Sequence, residues 1–136
     1  MANGSNDRGA LAENLRAEAE GKYAGTQAWR EYERRTEHRS EAQNAASAER
    51  LMDVFREFGR ILETDPKGER AQRLAAKLRQ VITEEYYNCT PCILSGLGKT
   101  YAEDERMRRS IDEAAGEGTA LFASRAVAAY CARSDT

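Results

Sequence analysis

Proline is nearly missing from this chain. Pro66 and Pro91 are the only two in 136 residues, and with three valines and four isoleucines β-branched apolar residues are sparse as well. So few helix breakers and so little sheet-forming material predict an all-α chain. No apolar run approaches the ~20 residues of a membrane helix. The polar opening Met1 to Gly9 lacks the apolar centre of a secretory signal, so a cytoplasmic protein without membrane contact is expected. Lys and Arg number 21 against 23 Asp and Glu, a net charge of −2, and no basic cluster could neutralise many phosphates; nucleic-acid binding through this chain is not expected. Histidine occurs once, at His38, with no carboxylate at a general-base spacing, and no serine sits in a nucleophile elbow. The string Gly96-Leu-Gly98-Lys99-Thr100 lacks both the first glycine of a phosphate loop and a preceding strand. These absences point away from an enzyme and from a bound cofactor. Three cysteines, an odd number in a non-secreted chain, imply reduced thiols rather than a disulfide framework.

What is present reads as helices punctuated by caps. Met1 to Gly9 is expected to be a disordered leader before a single domain over residues 10–134. Ala10 to Glu20 holds good helix formers but little apolar mass beyond Leu11 and Leu15, so it is expected to be weakly held. Thr26 is placed to cap a helix from Gln27 to about Thr36 that carries Ala28, Trp29 and Tyr32 as an aromatic ridge. Ser40 opens a long helix expected to reach about Glu63, with Ala48, Leu51, Met52, Phe55, Phe58, Gly59 and Leu62 on one face. Glu69 to Tyr86 repeats the pattern with Ala71, Leu74, Ala75, Leu78, Val81 and Ile82, which predicts an antiparallel hairpin with the preceding helix. Pro91 to Glu103, Asp104 to Glu113 and Thr119 to Arg133 complete about six to seven helices, the last following the Gly116-Glu-Gly118 break. The charged runs Arg30 to Arg39 and Glu103 to Arg109 read as solvated faces with i, i+4 pairs.

The most informative stretch runs from Tyr86 to Met107. Thr90 caps a helix that starts at Pro91, and Ile93, Leu94, Leu97 and Tyr101 recur at helical spacing. Gly96 and Gly98 lie inside it. Each costs about 1 kcal/mol relative to alanine, so two of them need a packing or ligand-access reason. Cys89-Thr-Pro-Cys92 admits a thiol redox or metal-binding reading, because a helix N-terminus lowers a thiol pKa. A helix rather than a strand precedes Cys89, however, and one pair plus Cys131 and His38 falls short of a regular zinc set. Small buried thiols at a helix start are the plainer account. A further alternative is an interaction module that grips a partner helix with the Trp29 ridge.

Tyr87-x-Cys89, Gly96-Leu97-Gly98, Tyr101, Asp104-Glu105-Arg106 and Ile111-Asp112 together resemble the TipAS family of antibiotic-recognition domains. Gly25-Thr26-x-Ala28-Trp29-Arg30, Arg79-Gln80-x-Ile82 and the segment Gly118 to Tyr130 extend the resemblance to roughly residues 11 to 133. It implies a compact globin-like domain that binds bulky hydrophobic multi-ring molecules, thiopeptide antibiotics among them, between helices. It also implies a sensor half of MerR-type activators or a free-standing sequestering protein. In the family's founding member a cysteine before the Leu-Gly pair bonds covalently to the drug; here that position is Gly96, so reversible binding is expected, although Cys92 stands one turn earlier. Leu78 replaces a histidine of that relative. The residues expected at the ligand are Trp29, Tyr32, Tyr87, Cys89, Ile93, Gly96, Leu97, Tyr101, Phe122 and Ala126.

Overall fold

Six helices account for the described part of the chain, residues 27–134 of a computed structural model: α1 Gln27–Thr36, α2 Glu41–Gly59, α3 Glu69–Glu85, α4 Pro91–Glu103, α5 Glu105–Ala115 and α6 Thr119–Ser134. The expected leader, the helix from Ala10 and the Thr26 cap lie outside the described residues. No strand occurs among the described residues, as the scarcity of sheet formers predicts.

Three of the described helices start where a side chain satisfies an orphan backbone donor. Ser40 and Gln43 close a capping box at α2, Thr90 accepts from the Ile93 N–H at α4 with Pro91 in the first turn, and Asp104 accepts from the Met107 N–H at α5. The turn before α6 uses positive φ at Gly116 (120°) and Gly118 (94°), a region L side chains rarely enter. Asp112 then stitches α5 to α6 by accepting from the Ala120 N–H at 2.9 Å.

Helices α2 and α3 form the expected antiparallel hairpin. Arg50 pairs with Glu84 at 2.6 Å and Lys77 with Glu57 at 2.6 Å, so partners climb one helix as they descend the other. Between these helices and α4 to α6 lies one core built on Leu51, Phe55, Phe58, Leu78, Ile82, Leu94 and Leu97, each no more than 1% exposed. Burial of each such side chain is worth about 1.5–3 kcal/mol. Two glycines bring helices together. A Cβ on Gly98 would stand 2.8 Å from Val127 Cγ1, and one on Gly59 would stand 2.2 Å from the Ala115 carbonyl oxygen. Gly98 thus has the packing reason that its place inside α4 called for.

The long helix from Ser40 is shorter than expected. It ends at Gly59 rather than about Glu63, where the Arg60 and Ile61 N–H groups reach back three residues, to Glu57 and Phe58. The tightened turn buries Ile61 to 4% exposure, while Leu62, expected on the buried face, is half-buried. At this end the close approach of Ala115 leaves no room for a Cβ on Gly59.

Candidate ligand-binding site

Helix α1 is short, and an isolated helix of its 10 residues would be marginal in water. It persists by docking on the end of α3. Trp29 and Tyr32, three residues apart, stack with ring centroids 5.4 Å apart. Tyr32 in turn meets Tyr86 at 6.2 Å and Tyr87 edge-on at 6.3 Å, which gives one aromatic cluster from two segments distant in sequence.

Charged groups frame this cluster. Glu31 accepts from the Asn88 N–H at 2.9 Å and from Arg35 Nη2 at 2.7 Å, while Arg35 Nη1 donates to the Thr83 carbonyl. Arg39 donates to the Glu85 carbonyl and to Ser47, and its guanidinium lies 5.8 Å from the centre of the Tyr86 ring. Cations on the last carbonyls of α3 meet the negative end of its dipole. The run Arg30 to Arg39 is therefore not a purely solvated face: the Glu31–Arg35 i, i+4 pair is there, and Arg35 and Arg39 also bind α3. Their partners lie 48 and 46 residues away, beyond any local sequence signal.

The segment after α3 is as tightly placed. Tyr87 and Cys89 are fully buried; the Cys89 N–H donates to Thr83 Oγ1 at 3.0 Å and its carbonyl accepts from Arg79 Nε at 2.7 Å. Burial pushes the Cys89 thiol up to about 12. A redox thiol needs the opposite shift. Cys92 is exposed and Cys131, also buried, donates its Sγ–H to the Pro91 carbonyl, so the two thiols of the Cys89-Thr-Pro-Cys92 string occupy unlike surroundings. Among the described residues no three His, Cys, Asp or Glu side chains converge as a metal site.

The expected site residues fall into two sets. Trp29, Tyr32 and Tyr87 come together directly. Ile93, Leu97 and Tyr101 form the inward face of α4, with Tyr101 edge-on to Phe55 at 5.0 Å, and Gly96 is half-buried beside that face. Phe122, edge-on to Phe58 at 6.0 Å, and Ala126 are buried on α6. Sequence reasoning left out Tyr86, which is 4% exposed with a hydroxyl that has no hydrogen-bond partner among the described residues. Desolvation raises its pKa strongly, so it stays a neutral phenol. Its adjacency to Tyr87 was the available signal.

Comparison with known proteins bears on what such an arrangement binds. Over 100 residues the chain is 32% identical to the HTH-type transcriptional activator mta of Bacillus subtilis, a match that takes in 71% of this chain and spans 38% of that protein's length. A solved structure of TipAS from Streptomyces lividans in complex with the thiopeptide antibiotic nosiheptide superposes with a TM-score of 0.75. That match covers 91% of this chain and 87% of the other at 24% identity, a likeness of fold. The TipAS antibiotic-recognition domain profile matches residues 15–130, most of the sequence, and the chain belongs to that family.

Proposed function

We propose that this domain binds a bulky, multi-ring hydrophobic antibiotic of the thiopeptide class reversibly, without catalysis, between α1 and the face of α4 that carries Gly96. One observation carries the reading. A short helix holds two half-buried aromatic rings, Trp29 and Tyr32, against the Tyr86-Tyr87 corner by ring contacts within a polar frame. Such a helix can lift and reseat over a flat ligand, with ring faces for stacking and phenol groups as polar handles. Tyr87, Cys89 and Ile93 form the corner that leads into α4; Leu97, Tyr101, Phe122 and Ala126 back it from the core. Gly96 leaves a notch where the covalent relative has its cysteine. The match to an HTH-type transcriptional activator suggests drug sensing within a longer regulator; sequestration by mass action is the second role open to the same domain.

The test is at position 96. Gly96→Leu fills the notch and is expected to weaken binding of a thiopeptide such as nosiheptide by about tenfold, or ~1.4 kcal/mol. Gly96→Cys is expected to add its thiol across a dehydroalanine double bond of the bound ligand, with no leaving group, so that the protein mass rises by the ligand's full mass. Normal binding by Gly96→Leu together with no adduct on Gly96→Cys would place the ligand elsewhere.

A further inference from the structure

Where α1 docks on the end of α3, polar groups meet partners across the contact. Glu31 accepts from the Asn88 N–H at 2.9 Å, Arg35 donates to the Thr83 carbonyl, and Arg39 donates to the Glu85 carbonyl and to Ser47 Oγ. The Tyr86 N–H closes the last turn of α3 by donating to the Ile82 carbonyl at 2.9 Å. The Tyr86 hydroxyl departs from this pattern. It belongs to a residue that is 4% exposed, and it has no hydrogen-bond partner among the described residues. Buried hydroxyls are paired as a rule, because one taken out of water without a partner loses its bonds to solvent and gains none. A phenylalanine ring would fill the same space without that loss, so the free domain draws no stability from this oxygen.

The groups that cover Tyr86 indicate when the hydroxyl is used. The Tyr32 ring lies 6.2 Å from the Tyr86 ring, and the Arg39 guanidinium lies 5.8 Å from its centre. Tyr32 belongs to the helix that lifts in the reading proposed above, and Arg39 to the segment that follows it. Raising α1 therefore uncovers a phenol at the floor of the space assigned to the ligand. Burial first, and then the neighbouring Tyr32 phenol, raise the Tyr86 pKa against the opposite pull of Arg39, so the O–H keeps its proton and remains a donor at neutral pH.

We infer, on the reading that a thiopeptide seats beneath α1, that the Tyr86 hydroxyl determines specificity by donating a hydrogen bond to an acceptor on the ligand, such as an amide carbonyl. The ligand then supplies the partner that the free fold lacks, and a flat apolar molecule without an acceptor at that place leaves the hydroxyl unpaired and is rejected. The test compares the intact chain with Tyr86→Phe, which removes only the oxygen. Nosiheptide affinity is read from Trp29 emission and checked by calorimetry, and the thermal unfolding midpoint is measured without ligand. The variant is expected to bind about tenfold more weakly while its midpoint is unchanged or higher. A merely structural hydroxyl would lower both together. Affinity within about twofold of the parent chain would overturn this inference and leave the thiopeptide reading standing. A lower midpoint in the variant would also overturn it, since the hydroxyl would then be stabilising the free fold. No binding of nosiheptide by the parent chain would remove the reading and this inference with it.

Discussion

Replacing Tyr32 with alanine isolates the docking of α1 from the stability of the domain. The side chain is half-buried and links Trp29, on its own helix, to Tyr86 and Tyr87 at centroid distances of 6.2 and 6.3 Å. Aromatic pairs of this kind are worth about 0.5–1.5 kcal/mol each beyond buried area, so losing two contacts to the α3 corner weakens docking by about 2 kcal/mol. That is about a 30-fold shift of the docking equilibrium. An undocked α1 is too short to hold its own helix, so its amides become open to exchange. Hydrogen exchange is expected to accelerate by that factor across residues 29–36 while the amides of Leu51 to Ile82 keep their protection. A uniform loss of protection across the domain would mean that Tyr32 is ordinary core, and no change in α1 would mean that its docking does not depend on the Tyr32 ring contacts.

Three further outcomes follow from the geometry. Gly98→Ala gains helix propensity of about 1 kcal/mol but drives a methyl to 2.8 Å from the stiff Val127 side chain, so a net loss of thermal stability is expected, and a raised midpoint would contradict this close helix contact. Of the three thiols, Cys92 alone is expected to react quickly with a disulfide reagent at mildly alkaline pH, because Cys89 and Cys131 are buried and the Cys89 thiol is raised to about 12; fast reaction of Cys89 would contradict the burial. Hydrogen bonds from Ser47 and Arg50 hold the Glu85 carboxyl below the usual range, so its contribution is present above about pH 4.3 and fades as pH falls through the lower folded value. Glu85→Gln is therefore expected to flatten the fall of stability on acidification, and an unaltered acid slope in a denaturant series would count against that assignment.

The helices were legible because their signals are local. Pro91 after Thr90, Ser40 ahead of α2 and the Gly116 and Gly118 break each fix a boundary from within a few residues, and the apolar periodicity of α2 and α3 marks their buried faces. The end of α2 was not legible: the backbone carbonyl that crowds Gly59 there comes from Ala115, 56 positions further along the chain (115 − 59). The aromatic part of the site was half legible. Trp29 and Tyr32 stood out on a helix with little other apolar surface, but their partner Tyr86 and the arginine bonds to Thr83 and Glu85 depend on tertiary docking. The charge runs gave no warning, because a solvated i, i+4 pair and a helix-binding arginine look alike in sequence.

The reading rests on a ligand that meets Trp29, and the single tryptophan makes that contact directly measurable. In a titration of the purified chain with nosiheptide, Trp29 emission is expected to change saturably with one equivalent of ligand and to return on dilution, with no gain in protein mass. An emission unmoved by excess nosiheptide, with no binding by calorimetry in the same buffer, would contradict the proposed thiopeptide recognition at this site.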